Sequence, residues 1–271
     1  MISFNASTVN KEALSKLDCP FQIMPGGRNS LSSKQIDEFI EMKNPNILIH
    51  SSYITRPFSS EITNITRINL RNYAVLANKL GTKDVLIHMP SSVMELTNFV
   101  NGIACINKEL ISTGCICHLE TNPLTKDLFK HLEMNKDNAF EKYEEYVEAI
   151  WESIPKKFIK NYRIVVDTAH LHANGLSTEE MIKFMNKWRD NIKYIHFNGN
   201  SNGIFTRDLH VPMYMDRNQL QDVNKLAEYL HKEKLIGIAE DSTIKGSYEG
   251  WVDFCDKYKL RLVENNDIFS I

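Results

Sequence analysis

Basic charge is not in excess in this chain. Lys and Arg total 32 against 34 Asp and Glu, for a net charge of −2 and a pI near 6.5. No bulk positive field advertises nucleic acid, which argues against a DNA-binding module that works by charge alone. Long apolar runs are missing as well: no stretch approaches the ~20 residues needed to span a bilayer. The N-terminal MISFNASTVNKEA has no basic segment followed by an apolar one, so no signal peptide is read there. The expectation is a soluble, intracellular protein that makes no use of a membrane. Cysteine is scarce and odd in number: Cys19, Cys105, Cys115, Cys117 and Cys255 suggest a reducing compartment. Cys115 and Cys117 fall on one face of an expected strand and read as packing, not as a zinc pair. No G-x-G-x-x-G follows the first expected strand, which weakens a dinucleotide-binding reading.

What is present is a repeated unit. Short apolar segments over 2–6, 20–24, 47–49, 85–87, 115–120, 162–167, 193–197 and 235–240 read as strands. Between them, amphipathic patterns predict helices over 8–17, 33–42, 62–80, 92–111, 139–154, 177–188, 218–231 and 248–258. Gly81 stops one of these, and Ser177 with Glu180 forms a capping box for another. A single helical turn is expected near 126–131, and 198–217 reads as an irregular loop. Eight such strands separated by helices predict a parallel sheet covered on its outside, closed into a (β/α)8 TIM barrel. No composition shift marks a linker, so residues 1–271 read as one domain, a size such barrels commonly have.

The strands share an ending. His50, His88, Glu120, Asp167, His196 and Glu240 each stand where an apolar run finishes. His170 follows the sixth strand closely, and Asp208 and His210 lie two apart in the loop after the seventh. In a barrel of this kind the C-terminal strand ends form the catalytic mouth. One strand-end His or Asp has ordinary explanations, such as a rim residue or a helix cap. Nine such groups at one mouth do not, because buried carboxylates without compensation are costly and repel one another. Divalent cations remove both problems. Five imidazoles with four carboxylates favour zinc, with manganese or iron as competitors, and exceed what one tetrahedral ion can use. His118 shares a strand face with Glu120 one layer deeper and reads as core or supporting residue. His172 could line the pocket; His131 and His231 read as surface residues.

With these residues in place the chain resembles the endonuclease IV family of zinc-dependent apurinic/apyrimidinic (AP) endonucleases, in particular its compact branch in large DNA viruses. The segments that carry the resemblance are His50-Ser-Ser-Tyr53, His88-x-Pro90, Leu119-Glu120-Thr121, Asp167-Thr-x-His170, His196-x-Asn198, Asp208-x-His210 and Glu240. The resemblance implies three zinc ions. His50 and His88 would bind the first, and Glu120 would bridge it to the second. Asp167, His196 and Glu240 would complete the second, while His170, Asp208 and His210 would hold the third. It also implies metal-assisted hydrolysis of the DNA phosphodiester 5′ to an abasic site, leaving a 3′-hydroxyl and a 5′-deoxyribose phosphate, in base-excision repair. Glu120 and Glu240 would act through the metals. Tyr53, with Ile54 beside it, would enter the DNA stack, and Arg28 after the Gly26-Gly27 turn is a further DNA-contact candidate. The implied partner is double-stranded DNA, bound by a monomer in nucleus or cytoplasm, or in a virion if the source is a virus.

The chain departs from that family at Gly199, where Asp is common, and at Leu209, where Arg is common. Val211-Pro212-Met213-Tyr214 replaces a glycine-containing segment, and the loop after the second strand is short. These changes bear on DNA grip. The competing reading is a sugar isomerase or epimerase of the xylose-isomerase-like barrels, which needs one or two metals and no third ligand set. A non-catalytic DNA-binding derivative is a third possibility; none of the nine ligand types is missing to favour it.

Overall fold

Apolar side chains on both faces of each strand are what a parallel sheet buried on both sides requires. The computed structural model describes residues 2–4, 21–25, 34, 37, 40–41, 47–200, 204–205, 210–213, 223–240 and 247–260. Within them runs a parallel sheet of eight strands: β1 Ile2–Phe4, β2 Phe21–Ile23, β3 Ile47–His50, β4 Asp84–His88, β5 Ile116–Glu120, β6 Tyr162–Asp167, β7 Ile192–His196 and, after two strands described below, β10 Ile236–Ala239. Their order is β1-β10-β7-β6-β5-β4-β3-β2, and the end strands β1 and β2 come together, so the sheet curls into an α/β barrel. Helices Asn64–Leu80 and Phe99–Glu109 pack side by side outside it, as do Thr178–Lys187, Val223–Glu233 and Ser247–Tyr258.

Strand alternation decides what faces the axis. Ile47, Ile49, Val85, Ile87, Cys117, Leu119, Ile164, Val166 and Ile195 point outward into the layer shared with the helices. Leu48, Leu86, Val165, Tyr194 and Ile238 point inward and form a separate apolar layer inside the barrel. Two residues beyond each of these stand His50, His88, Asp167, His196 and Glu240, and two beyond the inward His118 stands Glu120. The mouth residues are therefore one storey above the interior layer. A one-residue slip in register would turn each of them out against the helices.

The helix borders follow the sequence closely where they are described. Thr63 accepts a capping bond from the Thr66 amide, and Gly81 closes that helix at φ 75°. The Ser177–Glu180 capping box is formed in both directions. Gly114, at φ 94°, ends the turn before β5. The expected helix over 92–111 is broken into Val93–Thr97 and Phe99–Glu109. Thr97 Oγ1 donates to the Val93 carbonyl at 2.9 Å and Asn98 Nδ2 to that of Met94 at 2.7 Å. Such side-chain bonds compete with the backbone ladder at the break. The loop expected over 198–217 is not wholly irregular: β8 Asn198–Asn200 pairs antiparallel with β9 His210–Pro212, setting Asn200 opposite His210. The helix expected over 8–17 lies outside the described residues.

Among the described residues no helix is long and apolar enough to cross a membrane. Cys105, Cys115, Cys117 and Cys255 are buried and unpaired, and burial raises each thiol above its ordinary range.

Gly102 anchors the loop after β3. A Cβ there would lie 2.2 Å from Phe58 Cδ1 and 2.7 Å from the Pro57 carbonyl oxygen. The helix at Gly102 thus lets the Pro57–Phe58 segment seat closely. Gly102→Ala is expected to cost about 1–3 kcal/mol through overpacking. Thermal denaturation measures this; an unchanged midpoint would contradict the close approach.

Candidate metal centre

Inward strand-end positions bring the predicted groups together. His50 Nε2 lies 3.4 Å and His88 Nε2 3.2 Å from Glu120 Oε2. His196 Nδ1 is 2.7 Å from Glu120 Oε1, 3.6 Å from Asp167 Oδ2 and 3.4 Å from Glu240 Oε2. His210 Nε2 is 3.2 Å from His170 Nε2 and 3.7 Å from Asp167 Oδ2. Three overlapping groups result: His50, Glu120 and His196; Glu120, Asp167, His196 and Glu240; and Asp167, His170 and His210. His88 joins the first through Glu120. Asp208 and Arg28 lie outside the described residues.

The burial is deep. Asp167 and His196 are fully buried, Glu120 is 1% exposed and His50 2% exposed. The register places His88 level with Glu120 and Asp167 level with His196, the latter just after an irregularity in the β6–β7 ladder. Asp167 does two jobs. Its Oδ1 caps the short helix Thr168–Ala173 by accepting from the His170 amide at 3.0 Å, and its Oδ2 faces the cluster. The capping and ligand readings of this residue are therefore compatible.

Hydrogen-bond chemistry tests whether the groups fit a cation. His50 Nδ1 sits 2.8 Å from the Ser51 carbonyl. A carbonyl only accepts, so Nδ1 carries a proton and Nε2 is the nitrogen turned toward Glu120. His170 Nδ1, 2.6 Å from the Thr121 carbonyl, likewise leaves Nε2 as the nitrogen turned toward His210. Glu120 Oε2 is buried and accepts no hydrogen bond. Buried imidazole nitrogens and carboxylate oxygens thus converge on one another, an arrangement that needs protons or metal ions between them. The donor set, imidazole nitrogen with carboxylate oxygen, suits zinc.

Charge balance without metal shows the same demand. Burial alone would lower His196, but Glu240 and Glu120 outweigh it and hold the imidazolium well above its usual range. Burial alone would raise Glu120; His196 and His88 keep it well below the usual carboxylate range. Asp167 is also lowered, its burial overcome by His170, His210 and His196. His88 behaves oppositely, with burial pulling it down to about 4, so that it presents a neutral ring.

Two amides complete the mouth. Asn198 Nδ2 donates to Asp167 Oδ2 at 2.9 Å and lies 3.3 Å from Glu240 Oε2, while its Oδ1 accepts from the Glu240 amide at 3.1 Å. Gln22, from β2, bridges Glu240 and His196. Sequence reasoning did not find Gln22; its only signal is a polar residue between Phe21 and Ile23 in a buried strand. His118 is one storey down, where its Nε2 donates to Asp84 Oδ1 at 2.9 Å, so it belongs to the interior and not to the mouth. His172 is held at the edge, its Nδ1 3.3 Å from Asn200 Nδ2. His131 and His231 are exposed on their helices.

Beside His88 the loop after β3 presents Tyr53, 69% exposed, and Ile54, 61% exposed. The Tyr53 ring stacks on that of His88 with centroids 5.2 Å apart. A cavity of about 400 Å³ opens next to them, lined by Tyr53, Arg56, His88, Ser91, Glu95 and Asn122 among others.

An α/β barrel with a histidine- and carboxylate-rich mouth able to hold metal is the class that fold and side chains define. No protein-family model matches the sequence, and no curated protein matches it. Solved structures do. One described as AsfvAP:AG superposes with a TM-score of 0.70 at 14% identity, covering 96% of this chain and 98% of that one. A D-tagatose 3-epimerase-like protein gives a TM-score of 0.68 at 17% identity, with 95% and 96% covered. Endonuclease IV from Thermus thermophilus gives 0.66 at 16% identity, with 95% and 98% covered. At these identities the likeness shows the shared barrel; chemistry must be argued from the side chains.

Proposed function

We propose that this chain is a zinc-dependent AP endonuclease that hydrolyses the DNA phosphodiester 5′ to an abasic site. The observation that carries the reading is the third group, Asp167 with His170 and His210, next to the two that share Glu120. A barrel acting on a small sugar with one or two metals has no use for it. His50, His88 and Glu120 would hold one ion, Glu120, Asp167, His196 and Glu240 a second, and His170 and His210, with Asp208 by family resemblance, a third. Metal bound there would act as a Lewis acid on the phosphodiester and on the attacking water.

The chain's own residues supply the rest. Glu120 spans the first two positions, and Asp167 faces both the second and the third. Asn198 holds the carboxylates of Asp167 and Glu240 in place. Tyr53 and Ile54 stand exposed beside His88, where apolar side chains could fill the stack vacated by a nucleotide turned out of the duplex. A nucleotide without a base costs less to turn out than a normal one, which favours abasic sites by energy alone. Gly199 lies in β8 opposite Val211, so this departure from the family falls in the ribbon that carries His210.

The second reading, a sugar isomerase or epimerase, is favoured by the likeness to the D-tagatose 3-epimerase-like protein. One experiment separates the two: incision of a duplex carrying a tetrahydrofuran abasic analogue, with metal content measured on the same sample. This analogue cannot undergo β-elimination, so a product cut 5′ to it comes from hydrolysis. Cleavage with about three zinc ions per chain is expected. Binding should weaken steeply as salt rises, because phosphate contacts dominate such affinities. No cleavage with one or two metals would move the assignment to sugar chemistry.

A further inference from the structure

One side chain at the mouth is neither acid nor imidazole. Gln22 is fully buried in β2. Its Nε2 lies 2.8 Å from Glu240 Oε1 and its Oε1 lies 2.8 Å from His196 Nε2. Chemistry sets the direction of both bonds. A carboxylate only accepts, so the amide nitrogen must face Glu240. The amide oxygen is then left for His196, and it too only accepts. His196 Nε2 therefore carries a proton and donates it. The remaining nitrogen, Nδ1, is the one 2.7 Å from Glu120 Oε1 and 3.4 Å from Glu240 Oε2.

We infer that Gln22 is a positioning residue of the metal centre: its amide selects Nδ1 of His196 as the metal-binding nitrogen and ties that ring to Glu240 across the barrel. The inference rests on the metal reading above and adds to it a residue outside the imidazole and carboxylate set. An apolar residue like its neighbours Phe21 and Ile23 would leave His196 Nε2 buried without a partner. The ring could then present either nitrogen to the cluster, and Glu240 would lose one of its fixing bonds. Partners that orient a ligating histidine through its other nitrogen act in this way on affinity and on ring orientation.

The test measures zinc affinity by competition with a chromophoric chelator, for the wild type, Gln22→Leu and Gln22→Glu. Gln22→Leu is expected to weaken one zinc by about 10–100-fold and leave the others, with an unchanged circular dichroism spectrum. Gln22→Glu keeps an acceptor for His196 Nε2 but not a donor for Glu240, and should regain part of the loss. Equal affinities in all three proteins would overturn the inference. A measurement on the wild type alone guards against a variant that misfolds. With cadmium-113 bound and imidazole nitrogens labelled with nitrogen-15, the His196 coupling should appear at Nδ1; coupling at Nε2 would overturn the assignment. If the wild type binds no divalent metal, the metal reading itself fails, an outcome visible before any variant is compared.

Discussion

Glu240→Gln is expected to lower incision of an abasic duplex by about a thousandfold or more, because in the proposed centre it removes an anionic ligand and with it several kcal/mol of transition-state charge stabilisation. The barrel should stay folded. Glutamine matches the shape of glutamate, and its oxygen can still accept from Gln22 or Asn198, which now bond the carboxylate. What it cannot do is supply negative charge near His50, His196 and His210, which lie 3.8, 3.4 and 3.6 Å from the Glu240 oxygens. His170→Ala should act similarly by removing the nitrogen that faces His210. Rates on the tetrahydrofuran duplex, with metal content and circular dichroism on the same preparations, are the measurements. Full activity in either variant would sink the assignment of these residues.

The largest expected loss of stability lies at the other end of the barrel. Asp84, at the start of β4 and 4% exposed, accepts from His118 Nε2 at 2.9 Å, Tyr194 Oη at 2.9 Å and Lys193 Nζ at 2.5 Å. Burial would raise this carboxyl; His118 and Lys193 overcome it and hold it far below the usual carboxylate range. His118 is itself lowered by burial and serves as a neutral donor. Asp84→Leu strands His118 and Tyr194 inside the barrel, where removing one partner of a buried pair typically costs about 3–5 kcal/mol. For a chain of this size that is a fall of roughly 10 °C in Tm. Zinc content should not change, since Asp84 is two storeys below the mouth. The pH dependence has a definite sign. A carboxyl lowered on folding adds stability that is fully present above its unfolded value and lost as pH falls through the folded one. The wild type should therefore lose this contribution in acid, and the Leu variant should lack that part of the slope. A Tm change of only a degree or two would refute the role given to Asp84.

Together the two variants separate the ends of the barrel. In barrels of this class, strand residues at the C-terminal mouth commonly serve chemistry and those at the opposite end stability. His118 and Glu120 show how fine the division is. They are two residues apart on β5 and face the same way, yet one meets Asp84 and the other His50, His88 and His196.

Much of this was legible without coordinates. The eight strands and most described helix borders follow from local signals: apolar runs of strand length, caps such as Thr63 and Ser177, and stops such as Gly81. The inward direction of His50, His88, Glu120, Asp167, His196 and Glu240 follows from the two-residue period of a strand once the apolar layer beneath them is recognised. The break at Asn98 and the β8–β9 ribbon were not legible. One turns on side-chain bonds competing with a helix ladder, and the other on pairing between segments whose composition reads as loop.

The sequence by itself determined the barrel and the imidazole and carboxylate types that end its strands, because alternation and capping are written in neighbouring residues. Only the tertiary structure decided which nitrogen of each histidine faces the centre and which amides hold the carboxylates. Those choices are made by hydrogen bonds between residues far apart in the chain: Gln22 meets His196 across 174 positions and Glu240 across 218. No local pattern encodes such a contact; it exists only once the sheet has curled and set β2 across the mouth from β7 and the end of β10.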